Sequence, residues 1–169
     1  APYAAVDLIM GEQKTSHLYN VEVEPDFTVY TPAMMAALRT LQDLNVPLMI
    51  TGAYVGSDAV IENNKEVIDF MKDVLHYQQR NNHSSQTGTV MSVDAKRNGF
   101  ALPACTFMTK EGYSQYRVEA PDALEPADKK GMRVYRYSDT SMNAGVAYDG
   151  KQRIVVLGFP FESIIGEAE

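Results

Sequence analysis

Val46-Pro47-Leu48-Met49-Ile50-Thr51-Gly52-Ala53-Tyr54-Val55-Gly56-Ser57-Asp58 decides how the rest of the chain is read. Val46 to Thr51 is a short apolar run bounded by turn signals, the pattern of a buried strand. It leads into a tight turn with two glycines four apart, and a helix pattern stands on either side. In an open α/β sheet, ligands and catalytic groups gather where a strand's carboxyl end meets such a turn. The turn therefore marks the expected site.

Upstream, Thr31-Pro32 opens a helix with an N-cap threonine and a proline at the first helical position. Met34, Met35, Leu38, Leu41 and Leu44 form its apolar face, and Asn45 is its stop. Further upstream, Ala4 to Met10 is an apolar run closed by Gly11, with Asp7 its only charge, and reads as a buried parallel strand. Its position at the start of the chain implies a sheet edge or further strands upstream. Tyr19 to Glu24 alternates and reads as either an edge strand or an extended loop. Strand, helix, strand over Ala4 to Thr51 is the pattern of a right-handed parallel crossover.

Downstream, Asn63-Asn64 caps a second helix in which Val67, Phe70, Met71, Val74 and Leu75 share one face. Gln78 to Gln86 is a polar stop. The second half then changes period. Thr87 to Val93 alternates, Asn98-Gly99 is a hairpin signal, and Phe100 to Met108 and Gln115 to Glu119 are strand candidates. Pro121 to Gly131 reads as a charged loop or a single helical turn, and Met132 to Tyr137 alternates again. Ala144 to Tyr148 and Arg153 to Phe159 flank Asp149-Gly150 as a hairpin whose second strand, apolar on both faces, is central. The expected fold is an α/β three-layer flavodoxin-like sandwich. Its mixed sheet has a parallel βαβ first half and an antiparallel meander in the second. Residues 1–165 make one domain, a piece of a larger protein, and 166–169 are a frayed acidic tail.

The chain has 169 residues, a net charge of −7 and a sequence pI near 5.0. That balance argues against a nucleic-acid partner, which needs clustered Lys and Arg. No apolar stretch approaches the roughly 20 residues of a membrane helix. One cysteine, Cys105, rules out an internal disulfide and a multi-cysteine zinc site, and a buried inert thiol is its expected state. His17, His76 and His83 have no partner at ligand spacing, so no metal is expected. The glycine turn lacks the Lys-Ser/Thr and third glycine of nucleotide loops, and no cofactor is expected.

Three landmarks together resemble the class I glutamine amidotransferase-like fold. Asp7-Leu8-Ile9-Met10-Gly11 is similar to that family's early strand, whose glycine supplies an oxyanion-hole amide. Gly52-Ala53-Tyr54-Val55-Gly56 has the spacing of its nucleophile elbow, Gly-x-Cys-x-Gly. Phe159-Pro160-Phe161-Glu162-Ser163 resembles its terminal Phe-His-Pro-Glu segment. Tyr54 stands where the nucleophilic cysteine would be, and Pro160 where the histidine would be. The resemblance thus implies a scaffold without amide-hydrolysing chemistry, with Tyr54 and Glu162 the remaining catalytic candidates. Ile50 to Tyr54 and Val155 to Glu162 also look like a domain of bacterial xanthan lyase-like or golvesin-domain proteins. That likeness implies a periplasmic or cell-surface location.

The candidate ligand-binding set is Gly11, Glu12, Gly52, Tyr54, Gly56, Ser57 and Asp58. Glycines admit a ligand to the backbone, and the hydroxyls and carboxylates bind polar groups such as sugar hydroxyls. Ser57 and Asp58 also suit a turn or helix-capping role. If the strands run parallel, Glu12, Glu162 and Asp58 face one cleft, where paired carboxylates perform acid–base work or bind a metal. The preferred function is a non-catalytic structural or ligand-binding domain of a larger extracytoplasmic protein, with a polysaccharide or small polar ligand. The alternative is a hydrolase or polysaccharide lyase acting through Tyr54, which needs a cation such as Lys14, Arg133 or Arg136 brought by the fold. The expected partners are the parent protein's other domains, and an exposed sheet edge favours a homo-oligomer.

Overall fold

The computed structural model describes residues 4–16, 28–93, 103–110 and 116–165. Strand β1 (Val6–Gly11) pairs in parallel with β2 (Leu48–Gly52), and helix α1 (Pro32–Asp43) lies between them in sequence. Thr31 caps α1 by accepting the Met34 N–H at 3.2 Å, and Met35 and Leu38 are buried. The chain leaves α1 through Asn45 in the left-handed region, φ 53°, which asparagine tolerates better than most residues. β1 forms the sheet edge, and only its Met10 is fully buried.

After β2 come α2 (Ser57–Ile61) and α3 (Lys65–Asp73). Asn64 caps α3 by accepting the Val67 N–H at 3.2 Å. Val67, Phe70 and Met71 enter the core, each stabilising by roughly 1.5–3 kcal/mol on burial.

The remaining strands are β3 (Tyr77–Asn81), β4 (Thr89–Ser92), β5 (Cys105–Phe107), β6 (Ala123–Pro126), β7 (Gly131–Tyr137), β8 (Asn143–Asp149) and β9 (Arg153–Leu157). A 3-10 turn, Phe161–Ser163, leads to the two-residue β10 (Ile164–Ile165). One sheet runs in the order β1-β2-β9-β8-β7-β4-β5-β10, and β3 and β6 make a separate two-stranded sheet. β9 is central, parallel to β2 and antiparallel to β8, with Ile154, Val156 and Leu157 buried.

The expected three-layer flavodoxin-like sandwich is not what forms. Strand dominates, and the eight-stranded mixed sheet curls into a half-barrel. The physical reason lies in the second half. Its described residues supply strands and no amphipathic α-helix, so nothing is available to cover a flat sheet on both faces. The sheet covers itself by curling. The 3-10 turn lies against β1 at one end of the sheet, and the next two residues pair with β5 at the other end. Aromatic rings fill the space: Phe107 stacks on Phe159 with centroids 5.0 Å apart, and Tyr137 and Tyr135 meet that pair edge-on.

The small sheet is the other correction. Gln78 to Gln86, read as a polar stop, holds all of β3 but its first residue, and Pro121 to Gly131, read as a loop or a helical turn, holds β6; Tyr77 and Leu124 are fully buried. Each segment carries too few apolar residues to announce itself, and pairing supplies the missing partner. Residues 116–120 form no strand. The Tyr19–Glu24 piece, the Asn98-Gly99 signal and 166–169 lie outside the described residues.

Candidate functional site

The carboxyl ends of β1, β2 and β9 meet, since the three strands run parallel. Ala53 N–H bonds the Gly11 carbonyl at 2.8 Å and ties the β2 turn to the end of β1. The two turn glycines are there for close packing, since neither has a positive φ. A Cβ at Gly52 would stand 2.8 Å from the Met10 Cβ, and one at Gly56 would stand 2.9 Å from the Gln79 Cβ. Tyr54 itself lies outside the left-handed region, so the turn is not a strained elbow.

Tyr54 is 7% exposed. Burial raises its pKa, with the nearby Lys14 acting in the opposite direction and Glu119 and Glu12 adding to the rise. The Lys14 ammonium sits 5.1 Å from the ring centroid, a cation–π geometry. Lys14 is thus the cation brought by the fold, yet burial outweighs it and the phenol remains protonated at neutral pH.

Ser57 and Asp58 are buried and begin α2. Asp58 does not face the cleft with the two glutamates. Its Oδ1 accepts the Thr15 N–H at 2.6 Å, and its Oδ2 accepts the Thr15 hydroxyl at 2.8 Å and the Val29 N–H at 3.3 Å. It pins the two chain segments on either side of residues 17–27. The cap of α2 comes from far away: Asp122 Oδ2 accepts the Gly56 and Ser57 N–H groups at 2.7 and 2.9 Å. Asp122 is fully buried, and burial pushes its carboxyl up to about 7 against the pull of the Ser57 and Gly56 bonds. The Ser57 hydroxyl also acts on this carboxylate without reaching hydrogen-bond geometry, and Asp122 Oδ1 has no partner among the described residues. Tyr137 donates to the Asp122 carbonyl at 2.7 Å, and Tyr77, paired with Tyr30, donates to the Val55 carbonyl at 2.6 Å. Behind the turn therefore stands a hydrogen-bonded buttress.

In front of it is an open cleft of about 440 Å³ that Gly11, Glu12, Tyr116 and Glu162 help to line. Tyr116 donates to Glu162 Oε1 at 2.6 Å, and Glu12 accepts the Glu119 N–H. Burial, the Glu162 bond and the two carboxylate charges push the Tyr116 phenol far up, so it is a standing donor. Gly11 has φ +59°, and a Cβ there would stand 3.4 Å from Glu162 Oε1 and 3.6 Å from the Tyr116 hydroxyl. Glycine thus keeps the floor of the cleft open.

No protein-family model matches the chain, nor does any curated protein or solved structure match it significantly.

Of the other candidates, His17 lies outside the described residues. His76 Nδ1 lies 2.8 Å from Asp128 Oδ2, and its ring stacks on Tyr148 at 3.5 Å. His83 is exposed. Cys105 is half-buried, and burial raises its thiol pKa. Among the described residues, no group of three His, Cys, Asp or Glu is placed to hold a metal. No described helix is long and apolar enough to cross a membrane. Sequence reading missed Tyr116 and Asp122, which carry no motif and whose side chains bond groups 46 residues away and 65 and 66 residues away.

Proposed function

We infer that this is a non-catalytic ligand-binding domain of a larger extracytoplasmic protein. Its cleft between Glu12 and Glu162 takes a polyhydroxylated ligand such as a carbohydrate. The observation that carries the reading is the division of labour around the turn. Asp58 and Asp122 are spent on backbone N–H groups behind it, and Tyr54 is buried and protonated. The polar side chains that line the cleft are Glu12, Gln13, Glu162 and Tyr116, whose one phenolic proton Glu162 already accepts. The Gln13 amide as donor beside carboxylate acceptors, over a glycine floor, suits vicinal hydroxyls. The volume lies within the ordinary range for small-ligand sites.

The test is a titration with neutral and acidic mono- and disaccharides, followed through the backbone amide shifts of Gly11 and Glu119. Saturable shifts, weakened about tenfold by Tyr116→Phe or Glu162→Gln, are expected for loss of one charge-assisted bond. An absence of saturating shifts across the panel would overturn the proposal.

The lyase reading draws on one observation, Lys14 over Tyr54. It requires an acidic polysaccharide to yield unsaturated product in the wild type and none in Tyr54→Phe.

A further inference from the structure

A second concavity lies away from the cleft, over β3, β6 and β7. Two adjoining hollows of about 820 and 520 Å³ share Arg80, Val93, Glu125 and Arg133 in their walls. Lys129 lines the first and Arg136 the second. Among the described residues, four cationic side chains thus face two carboxylates, Glu125 and Asp128. In a chain of net charge −7, this is a local reversal of sign.

The cluster is built by the backbone. In a regular strand, residues three apart point to opposite faces. β7 departs from regular register between Arg133 and Tyr135 and again between Tyr135 and Arg136. Such irregularities re-aim side chains. Arg133 and Arg136 accordingly are both exposed and line one groove, while Val134, Tyr135 and Tyr137 are buried. Glu125 fixes the centre. Its Oε2 accepts from Arg133 Nε at 3.0 Å and Nη2 at 2.8 Å, and its Oε1 accepts from Asn143 at 2.8 Å. Arg80 Nη1 approaches the same carboxylate at 3.7 Å with its side chain 64% exposed. One guanidinium is held by Glu125, and two more in the same walls, Arg80 and Arg136, are exposed to solvent.

We propose that this groove binds an acidic glycan chain, its anionic groups engaging Arg80 and Arg136 and its hydroxyls the polar wall between them. Planar guanidinium forks match carboxylate and sulfate groups. The wall includes Gln78, Thr140, Ser141 and Asn143, amides and hydroxyls able to bond the closely spaced hydroxyls of a sugar chain. Among the described residues no aromatic ring lines either hollow, so they offer bases no stacking platform. Among the described residues the site shares none with the Glu12–Glu162 cleft, and it stands independently of the reading given to it.

The test is calorimetric titration of the intact chain with an oligogalacturonate, a neutral maltooligosaccharide and a polyglutamate peptide. The oligogalacturonate is expected to bind, to weaken as salt is raised, and to lose about tenfold in affinity in Arg80→Gln/Arg136→Gln. Both side chains are exposed, and an unchanged melting transition checks the fold; Arg136→Gln alone serves as the second variant, with a smaller loss. Arg80 and Arg136 do not line the Glu12–Glu162 cleft, so a loss on their replacement reports on this groove. Three results would each overturn the proposal: no oligogalacturonate binding, binding indifferent to both arginine variants, or polyglutamate binding as tightly as the glycan.

Discussion

Replacing Asp122 by asparagine should make the protein more stable at pH 8 relative to wild type, and less so at pH 5. In the folded protein the carboxyl is fully buried and titrates at about 7, against 3.8 for the unperturbed group. Below pH 3.8 both folded and unfolded chains hold the proton, and the contribution of this group is fully present. Between 3.8 and about 7 the unfolded chain releases its proton while the folded chain retains it, so stability falls as pH rises. Above about 7 the loss is complete. At about 1.4 kcal/mol per pKa unit, the ceiling is about 4 kcal/mol. Asparagine has no charge to desolvate and keeps an acceptor oxygen for the Gly56 and Ser57 N–H groups. Alanine removes that acceptor and leaves two buried donors unpaired, at about 1–3 kcal/mol each. Urea unfolding at a series of pH values, for wild type, Asp122→Asn and Asp122→Ala, measures all of this. Asp128 and Asp139, both with lowered pKa values, titrate on the acid side, and their effect cancels in the difference from wild type. A difference between wild type and Asp122→Asn that does not grow with pH, or an asparagine variant as damaged as the alanine one, would refute the reasoning.

Gly158→Ala should be severe, because the new Cβ would stand 2.1 Å from the Asp122 carbonyl oxygen; a drop of several degrees in melting temperature, or loss of soluble protein, is expected. Tyr54→Phe removes a hydroxyl outside the cleft, so saccharide shifts at Gly11 should change by less than about twofold, and a larger loss would place Tyr54 in the binding site. Asp58→Ala strands the N–H groups of Thr15 and Val29 and should cost about 2–4 kcal/mol in urea unfolding. Thr31→Ala removes the α1 cap and should cost about 1 kcal/mol by the same assay.

Much of the local structure was legible. Thr31-Pro32 and Asn64 start α1 and α3 as their capping chemistry requires, and Asp149-Gly150 joins β8 to β9. The cleft was legible only in part, since Gly52, Tyr54, Gly56, Ser57 and Asp58 do not line it. Parallel β1, β2 and β9 bring Gly11, Glu12 and Glu162 to one cleft, as the strand ends suggested. Its chemistry was less so. Asp58 looked the same in sequence as a cleft carboxylate, and only its bonds to Thr15 and Val29 show it facing inward. The two turn glycines suggested a strained elbow. They are required instead because Met10 and Gln79 press against them.

The division has a physical cause. Caps, amphipathic periodicity and hairpin turns act within a few residues, so the sequence by itself determined α1, α3, β2 and the β8–β9 hairpin. The features that define the site span far greater separations: 43 residues from Thr15 to Asp58, 66 from Gly56 to Asp122, 107 from Glu12 to Glu119. Nothing in local propensity encodes those bonds. The curl of the sheet, the β3–β6 pair and the groups set around Tyr54 were decided only when the strands, lacking helices to cover them, closed on a shared aromatic core.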